Sequence, residues 1–245
     1  MTTDRVVAIW RSLQLSTGDI SRDSCLMGNV SLALRRRDVP IYELNEDQEL
    51  PLAKVYVTMA RSQRMLDMLA ACEREGALVI NSTASVRLCL DRRALETCLS
   101  EGGVEVPGEY TGTGPCWLKQ NGMAGHVVFA RDEQELEQQK HQFRKQGITD
   151  WLVSPHINGR HAKFYGVAGT EFFWGEPSLR QIAERAAQLV GITVYGGDAI
   201  IREDGSCCIV DLNDWPSFSP CVEEAAEAIA ERMMQMMKER EENGK

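Results

Sequence analysis

The residues best suited to chemistry cluster between Gly196 and Pro220, where two aspartates and an asparagine sit within apolar runs. Asp204-Gly205 separates two of these runs. Such a dipeptide favours a type I′ turn, because both central residues need positive φ. A two-residue turn centred there places Ile200 opposite Ile209 and Asp198 opposite Asp211. Asn213 lies two residues beyond Asp211 and shares its face. Directly opposed carboxylates have Cβ atoms about 5 Å apart and repel each other. A divalent cation held by both acids and the amide oxygen would offset that repulsion. An all-oxygen set suits Mg²⁺, which takes its remaining ligands from water and phosphates. The alternative is that the two acids cap strands or face solvent. Ile209, Val210 and Leu212 weigh against it, because Asp211 interrupts a strand that otherwise favours burial.

Asp198, followed after twelve residues by Asp211-Leu212-Asn213-Asp214-Trp215-Pro216, resembles the metal-binding signature of ATP-grasp proteins. That family includes carboxylate–amine ligases and inositol-polyphosphate kinases. The resemblance implies that Asp198, Asp211 and Asn213 hold two Mg²⁺ ions against the phosphates of ATP. Trp117-Leu118-Lys119, followed by Gln120 to Gly125, resembles the family's lysine strand and the glycine loop that closes over the phosphates, here with Gly122 and Gly125. A lysine ending an apolar strand is otherwise costly, and its point charge suits a phosphate.

Leu152 to Gly159 resembles the hinge whose backbone meets adenine, which implies contacts from Ser154, His156 and Ile157. The acid usual there is missing, and Pro155 lacks an N–H. Lys163-Phe164-Tyr165 resembles the strand whose cation points at the transferred phosphate. The competing reading of Lys163 is a solvated residue on an alternating strand. Asn81 to Leu99 resembles the segment leading into the ATP lobe, with Arg92 where a lysine is usual, a replacement that suits phosphate. Lys119 and Lys163 are thereby the implied catalytic cations.

The elements that must carry these residues read as an α/β chain. Val6 to Trp10, Val39 to Glu43, Ala53 to Thr58 and Ala77 to Ile80 read as strands. Helical spacing over Asp23 to Arg37 and Gln63 to Glu75 alternates with them, which predicts a small parallel sheet. Ser82 to Ser100 reads as one helical stretch. Strands at Trp117 to Lys119, His126 to Ala130, Trp151 to Pro155 and Lys163 to Ala168 follow, with a polar helix over Glu133 to Lys145 and an amphipathic one over Leu179 to Val190. The resemblance covers about residues 80 to 240. It implies an ATP-grasp fold with α+β lobes: a small Rossmann-like pre-ATP-grasp lobe over 1–80, and an ATP-grasp domain over 81–245 with a central lobe at about 112–156 and a metal-binding lobe at about 157–245.

Ser219-Pro220 reads as the N-cap and first position of a last helix. Its stripe Val222, Ala226, Ile229, Met233, Met237 suits docking on a sheet or, as a Met-rich face, a homodimer. Phe218 reads as packing, and Trp215 as either packing or a pocket wall. His126, His141, His156 and His161 are too scattered for a metal site.

The 245 residues carry 27 Lys and Arg against 36 Asp and Glu, a net charge of −9. That balance argues against nucleic acid or an anionic membrane as partner. No apolar run reaches the 18 or so residues of a membrane span. The N-terminal residues lack a basic region and a cleavage site, and read as a first strand rather than a signal peptide. Eight cysteines without C-x-x-C spacing suit reduced thiols in a cytoplasm. The function implied is a ligase that activates a small-molecule carboxylate with Mg-ATP for attack by an amine. The alternatives are a small-molecule kinase of the inositol-phosphate kind and a nucleotide-binding protein without catalysis.

Overall fold

The structure, a computed structural model, describes residues 3–12, 20–122 and 125–243. Strands β1 (Thr3–Trp10), β2 (Ile41–Asn45), β3 (Ala53–Thr58) and β4 (Leu78–Ile80) form a parallel sheet in the order β2-β1-β3-β4. The helices α1 (Ile20–Arg35) and α2 (Gln63–Arg74) make crossovers. Val6 to Ile9 are all buried, as expected of a parallel strand covered on both faces. Ser62 starts α2 by accepting a hydrogen bond from Met65 N–H.

The stretch expected as one helix over Ser82 to Ser100 is two, α3 (Thr83–Leu90) and α4 (Arg92–Glu101). Asp91 breaks it, because its carboxylate accepts from the N–H groups of Arg93 and Ala94 and its backbone turns extended. A short acidic side chain competes in this way with helix continuation.

Next comes an antiparallel sheet of β5 (Cys116–Gln120), β6 (Val127–Ala130) and β7 (Trp151–Pro155), in the order β6-β5-β7. Helix α5 (Glu133–Lys145) covers one face, where Cys116, Leu118 and Ala130 meet Leu136, Phe143 and Ile148. The last sheet runs β11-β10-β8-β9, built from β8 (Arg160–Val167), β9 (Phe173–Trp174), β10 (Val194–Ile201) and β11 (Cys207–Asp214). Helix α6 (Arg180–Val190) lies against its apolar face and ends at Gly191, which has φ 73°.

Helix α7 (Val222–Asn243) begins later than Ser219-Pro220, which form a turn instead. The carbonyl of Cys221 accepts the first helical bond, from Ala225. Ala226, Ile229 and Met233 are buried in a core shared with Leu26, Met27 and Val30 of α1 and with Tyr165 and Val167 of β8. Val222 and Met237 pack against the same core. The stripe is therefore used within the chain, which removes it as a homodimer face. Trp215 and Phe218 are buried and hold positive φ of 45° and 49°; both pack.

Candidate functional site

Strand β11 brings the two acids together by a route the turn signal did not indicate. Arg202 N–H donates to Ser206 O at 2.9 Å and Gly205 N–H to Arg202 O at 3.0 Å. Three residues, Glu203 to Gly205, thus form the loop, with Gly205 at φ 84°. The register slips by one, and Ile200 faces Cys208 rather than Ile209. Val210 then bulges out: Ala199 pairs with Ile209 and Asp198 with Asp211. The loop residue and the bulge residue cancel, so the acids face each other as expected.

A bulged residue leaves the ladder, and its carbonyl is re-aimed. Val210 O accepts a hydrogen bond from Lys119 Nζ at 3.1 Å. The bulge thus brings the β5 lysine to the acids of β11.

Within the chain itself, side chains also offset the repulsion between the acids. Arg92 Nη1 lies 2.8 Å from Asp211 Oδ1, and Asn213 Nδ2 donates to Asp211 Oδ2 at 2.9 Å. Lys163 Nζ and His161 Nε2 each lie 2.7 Å from Asp198 Oδ1. Lys163 is also the direct cross-strand neighbour of Asp198. Burial alone would raise the Asp211 carboxyl, but Arg92, Asn213 and Lys119 outweigh it and hold it below its usual value. Burial likewise works against the Lys163 ammonium, and Asp198 overrides it, raising its pKa.

These residues still suit Mg²⁺. Asp198 Oδ2 and Asn213 Oδ1 carry no hydrogen bond among the described residues. They are hard oxygen donors on one sheet face, beside Asp211, and Mg²⁺ is commonly held by one or two carboxylates plus phosphates.

Lys119 is only 7% exposed. Burial lowers its pKa and raises that of Glu96, 3.8 Å away. Glu96 also accepts from Ser154 Oγ at 3.4 Å, so the Ser154 hydroxyl turns inward to α4. The N–H of His156 donates to Pro115 O, and its Nδ1 accepts from Trp117 Nε1 at 3.1 Å. Of the three hinge positions, Ile157 is the one whose N–H has no partner among the described residues.

The glycine loop closes tightly: Gln120 N–H donates to His126 O at 2.7 Å, and Gly122 and Gly125 hold φ of 91° and 56°. Met123 and Ala124 lie outside the described residues. Asn121 ties the loop base to α4 by accepting from Arg92 N–H at 2.8 Å. Arg92 and Asn213 thus gather on Asp211, Lys163 on Asp198 across the ladder, and Lys119 on the Val210 bulge between them.

Several residues escaped sequence reasoning. Glu96 carries no spacing or motif that singles it out among the acids of α4. His161 shares a strand face with Lys163, two residues away, a signal that was available. Trp117 and Phe129 pack at a tilt with ring centroids 5.0 Å apart, and Phe129 sits 5.5 Å from His156. They form an apolar wall on the face that carries Lys119. Arg61 crosses from the parallel sheet to β11, with Nη2 2.7 Å from Asp214 Oδ1, a contact 153 residues apart. Asn81 likewise reaches β10, accepting from Thr193 and Val194 N–H and donating to Val194 O.

Beside the acids lies a pocket of about 210 Å³ bounded by Arg11, Arg61, Lys163, Tyr165, Asp198 and Asn213 to Ser217. A larger open groove of about 1390 Å³ runs along α6 and is lined by none of Arg92, Lys119, Lys163, Asp198, Asp211 and Asn213.

No protein-family model matches the chain, and no curated protein matches it by sequence. Solved structures do match. A RimK domain ATP-grasp protein from Sphaerobacter thermophilus DSM 20745 superposes at TM-score 0.70 with 19% identity, over 93% of this chain and 98% of that one. D-alanine–D-alanine ligase from Bacillus anthracis does so at 0.67 with 12% identity, over 97% and 100%. The ATP-grasp ligase PsnB, complexed with minimal precursor, Mg and ADP, gives 0.67 with 15% identity, over 97% and 100%. With nearly the whole chain covered in each case, this protein has the ATP-grasp fold.

Proposed function

We propose that the protein is an Mg-ATP-dependent ligase that activates a small-molecule carboxylate as an acyl phosphate for attack by an amine. The observation that carries this reading is the opposition of Asp198 and Asp211 across β10 and β11, ringed by Arg92, Lys119 and Lys163. Several of the structural neighbours bear ligase or synthetase names, which supports the same reaction class. On this reading residues 1–80 form the pre-ATP-grasp lobe, about 112–156 the central lobe and about 157–245 the metal-binding lobe.

Asp198, Asp211 and Asn213 would hold Mg²⁺, which supplies charge neutralisation at the phosphates. Arg92 and Lys119 bind phosphate oxygens, and the glycine loop shields them from water. Trp117, Phe129 and the backbone of Ile157 receive the base. Lys163 leaves Asp198 for the γ-phosphoryl oxygens, where charge develops. An acceptor carboxylate oxygen attacks the γ-phosphorus, the bond to the bridging oxygen breaks, and ADP leaves. The amine then adds to the acyl carbon, loses a proton and expels inorganic phosphate. Positioning and electrostatics supply the catalysis.

A pocket of about 210 Å³ is below the roughly 300–1,000 Å³ that drug-sized ligands fill, which suits a small acceptor better than an inositol polyphosphate. Eight free thiols support a reducing cytoplasm, and no helix among the described residues is long and apolar enough to cross a membrane. The test is ADP release that requires both an acid and an amine, with hydroxylamine trapping the acyl phosphate as a hydroxamate. Release supported by a polyol with no amine would favour a kinase instead.

A further inference from the structure

The acceptor pocket is lined by groups of two different chemistries. One set of lining groups is Lys163, Asp198 and Asn213, assigned above to the reacting phosphoryl and metal. The other is Arg11 and Arg61, which come from a different sheet and follow β1 and β3 at its carboxyl edge. Ligands of open α/β sheets enter at that edge.

Arg61 is held in place there. Glu46 is buried and its carboxylate accepts from Ser12 N–H at 2.6 Å, Arg61 N–H at 3.0 Å and Ser62 N–H at 2.8 Å. One carboxylate thereby ties together the segments that follow β1, β2 and β3. Arg61 Nη2 donates to both Asp214 O and Asp214 Oδ1. Its Nε is buried and has no partner among the described residues, and no bond from Nη1 is made to them. A guanidinium fixed on one nitrogen presents the remaining donors to a planar anion. Arg11 adds a second cation, itself fixed by Nε donating to Met59 O at 3.1 Å.

A carboxylate that reacts beside the first set leaves the arginines to a different group. We infer that the acceptor carries a second anion, so that its substrate class is the small dicarboxylates: one carboxylate is phosphorylated beside Lys163 while the other sits on Arg61 and Arg11. This rests on the ligase reading above and deepens it. Glu46 and Asp214 act as positioning residues for Arg61.

The test uses the full chain with Mg-AMPPNP bound. Malonate, succinate, glutarate and adipate are titrated by calorimetry, each beside its monocarboxylate counterpart, L-alanine and 3-phosphonopropionate. Hydroxamate formation with Mg-ATP and hydroxylamine is measured in parallel. At least one dicarboxylate should bind and react while its monocarboxylate counterpart does not. Arg61→Gln should weaken that binding about 10- to 100-fold, the size of a lost charge-assisted contact, with Arg61→Lys restoring part of it. If Arg61→Gln melts early, Arg11→Gln supplies the same comparison. Glu46→Gln should raise KM for the acid more than it lowers kcat. Tighter binding of 3-phosphonopropionate would keep the second anion but name it a phosphoryl group rather than a carboxylate, overturning the dicarboxylate assignment.

Equal binding of succinate and propionate, or no effect of either arginine substitution, would overturn the inference while hydroxamate formation still upheld the ligase reading. Dicarboxylate binding without hydroxamate would do the reverse. No binding of any dianion overturns the inference directly.

Discussion

Lys119 of β5 donates to the carbonyl of Val210, 3.1 Å away, and Val210 is the residue that bulges from β11. Strand β5 and the β10–β11 hairpin are therefore joined at the bulge beside Asp211. Lys119→Met keeps the length of the side chain and removes its charge. The expected outcome is a fall in kcat of about 10²- to 10³-fold, the usual size for losing one preorganised donor, with little loss of thermal stability because Glu96 is left to take up a proton. Steady-state kinetics beside a melting curve check both halves.

Removing Arg92 acts differently, because Asp211 then keeps its charge in a half-buried site. Arg92→Ala should destabilise the free protein by about 1–3 kcal/mol. Saturating Mg²⁺ should recover part of that loss in wild-type-like fashion, since a cation replaces the guanidinium. Denaturant melts with and without Mg²⁺ measure it. Equal loss under both conditions would count against Mg²⁺ at Asp211.

The nucleotide should bind as its magnesium complex. Chelation with EDTA should weaken AMPPNP binding strongly in the wild type and hardly at all in Asp211→Asn or Asp198→Asn, whose affinity is already low. Calorimetry of the three proteins in both buffers decides it, and the asparagine variants should melt earlier than the wild type, since each leaves a cation, Arg92 or Lys163, without the carboxylate that balances it.

Gly197 tests the hairpin itself. A Cβ there would lie 2.2 Å from the backbone carbonyl of Asp211 and 2.7 Å from the Phe164 ring. The first neighbour is backbone and cannot swing aside. Gly197→Ala should therefore cost about 3 kcal/mol and displace Asp211, lowering stability and nucleotide affinity together.

The amino-acid sequence by itself determined the parallel first sheet, the hairpin, and the pairing of Asp198 with Asp211, because these follow from apolar periodicity and turn residues a few positions apart. Even there, the pairing was reached through two unforeseen offsets, a third loop residue and the Val210 bulge. Short acidic side chains that stop helices are legible in principle, yet Asp91 was passed over because apolar spacing runs on through it. Tertiary structure alone decided which cation neutralises which acid: Arg92 on Asp211, Lys163 and His161 on Asp198, and Arg61 on Asp214. It also turned the methionine stripe of α7 inward onto α1. A charge has no period that names its partner. Its pairing depends on distances of a few ångströms between segments up to 153 residues apart, and only packing sets those.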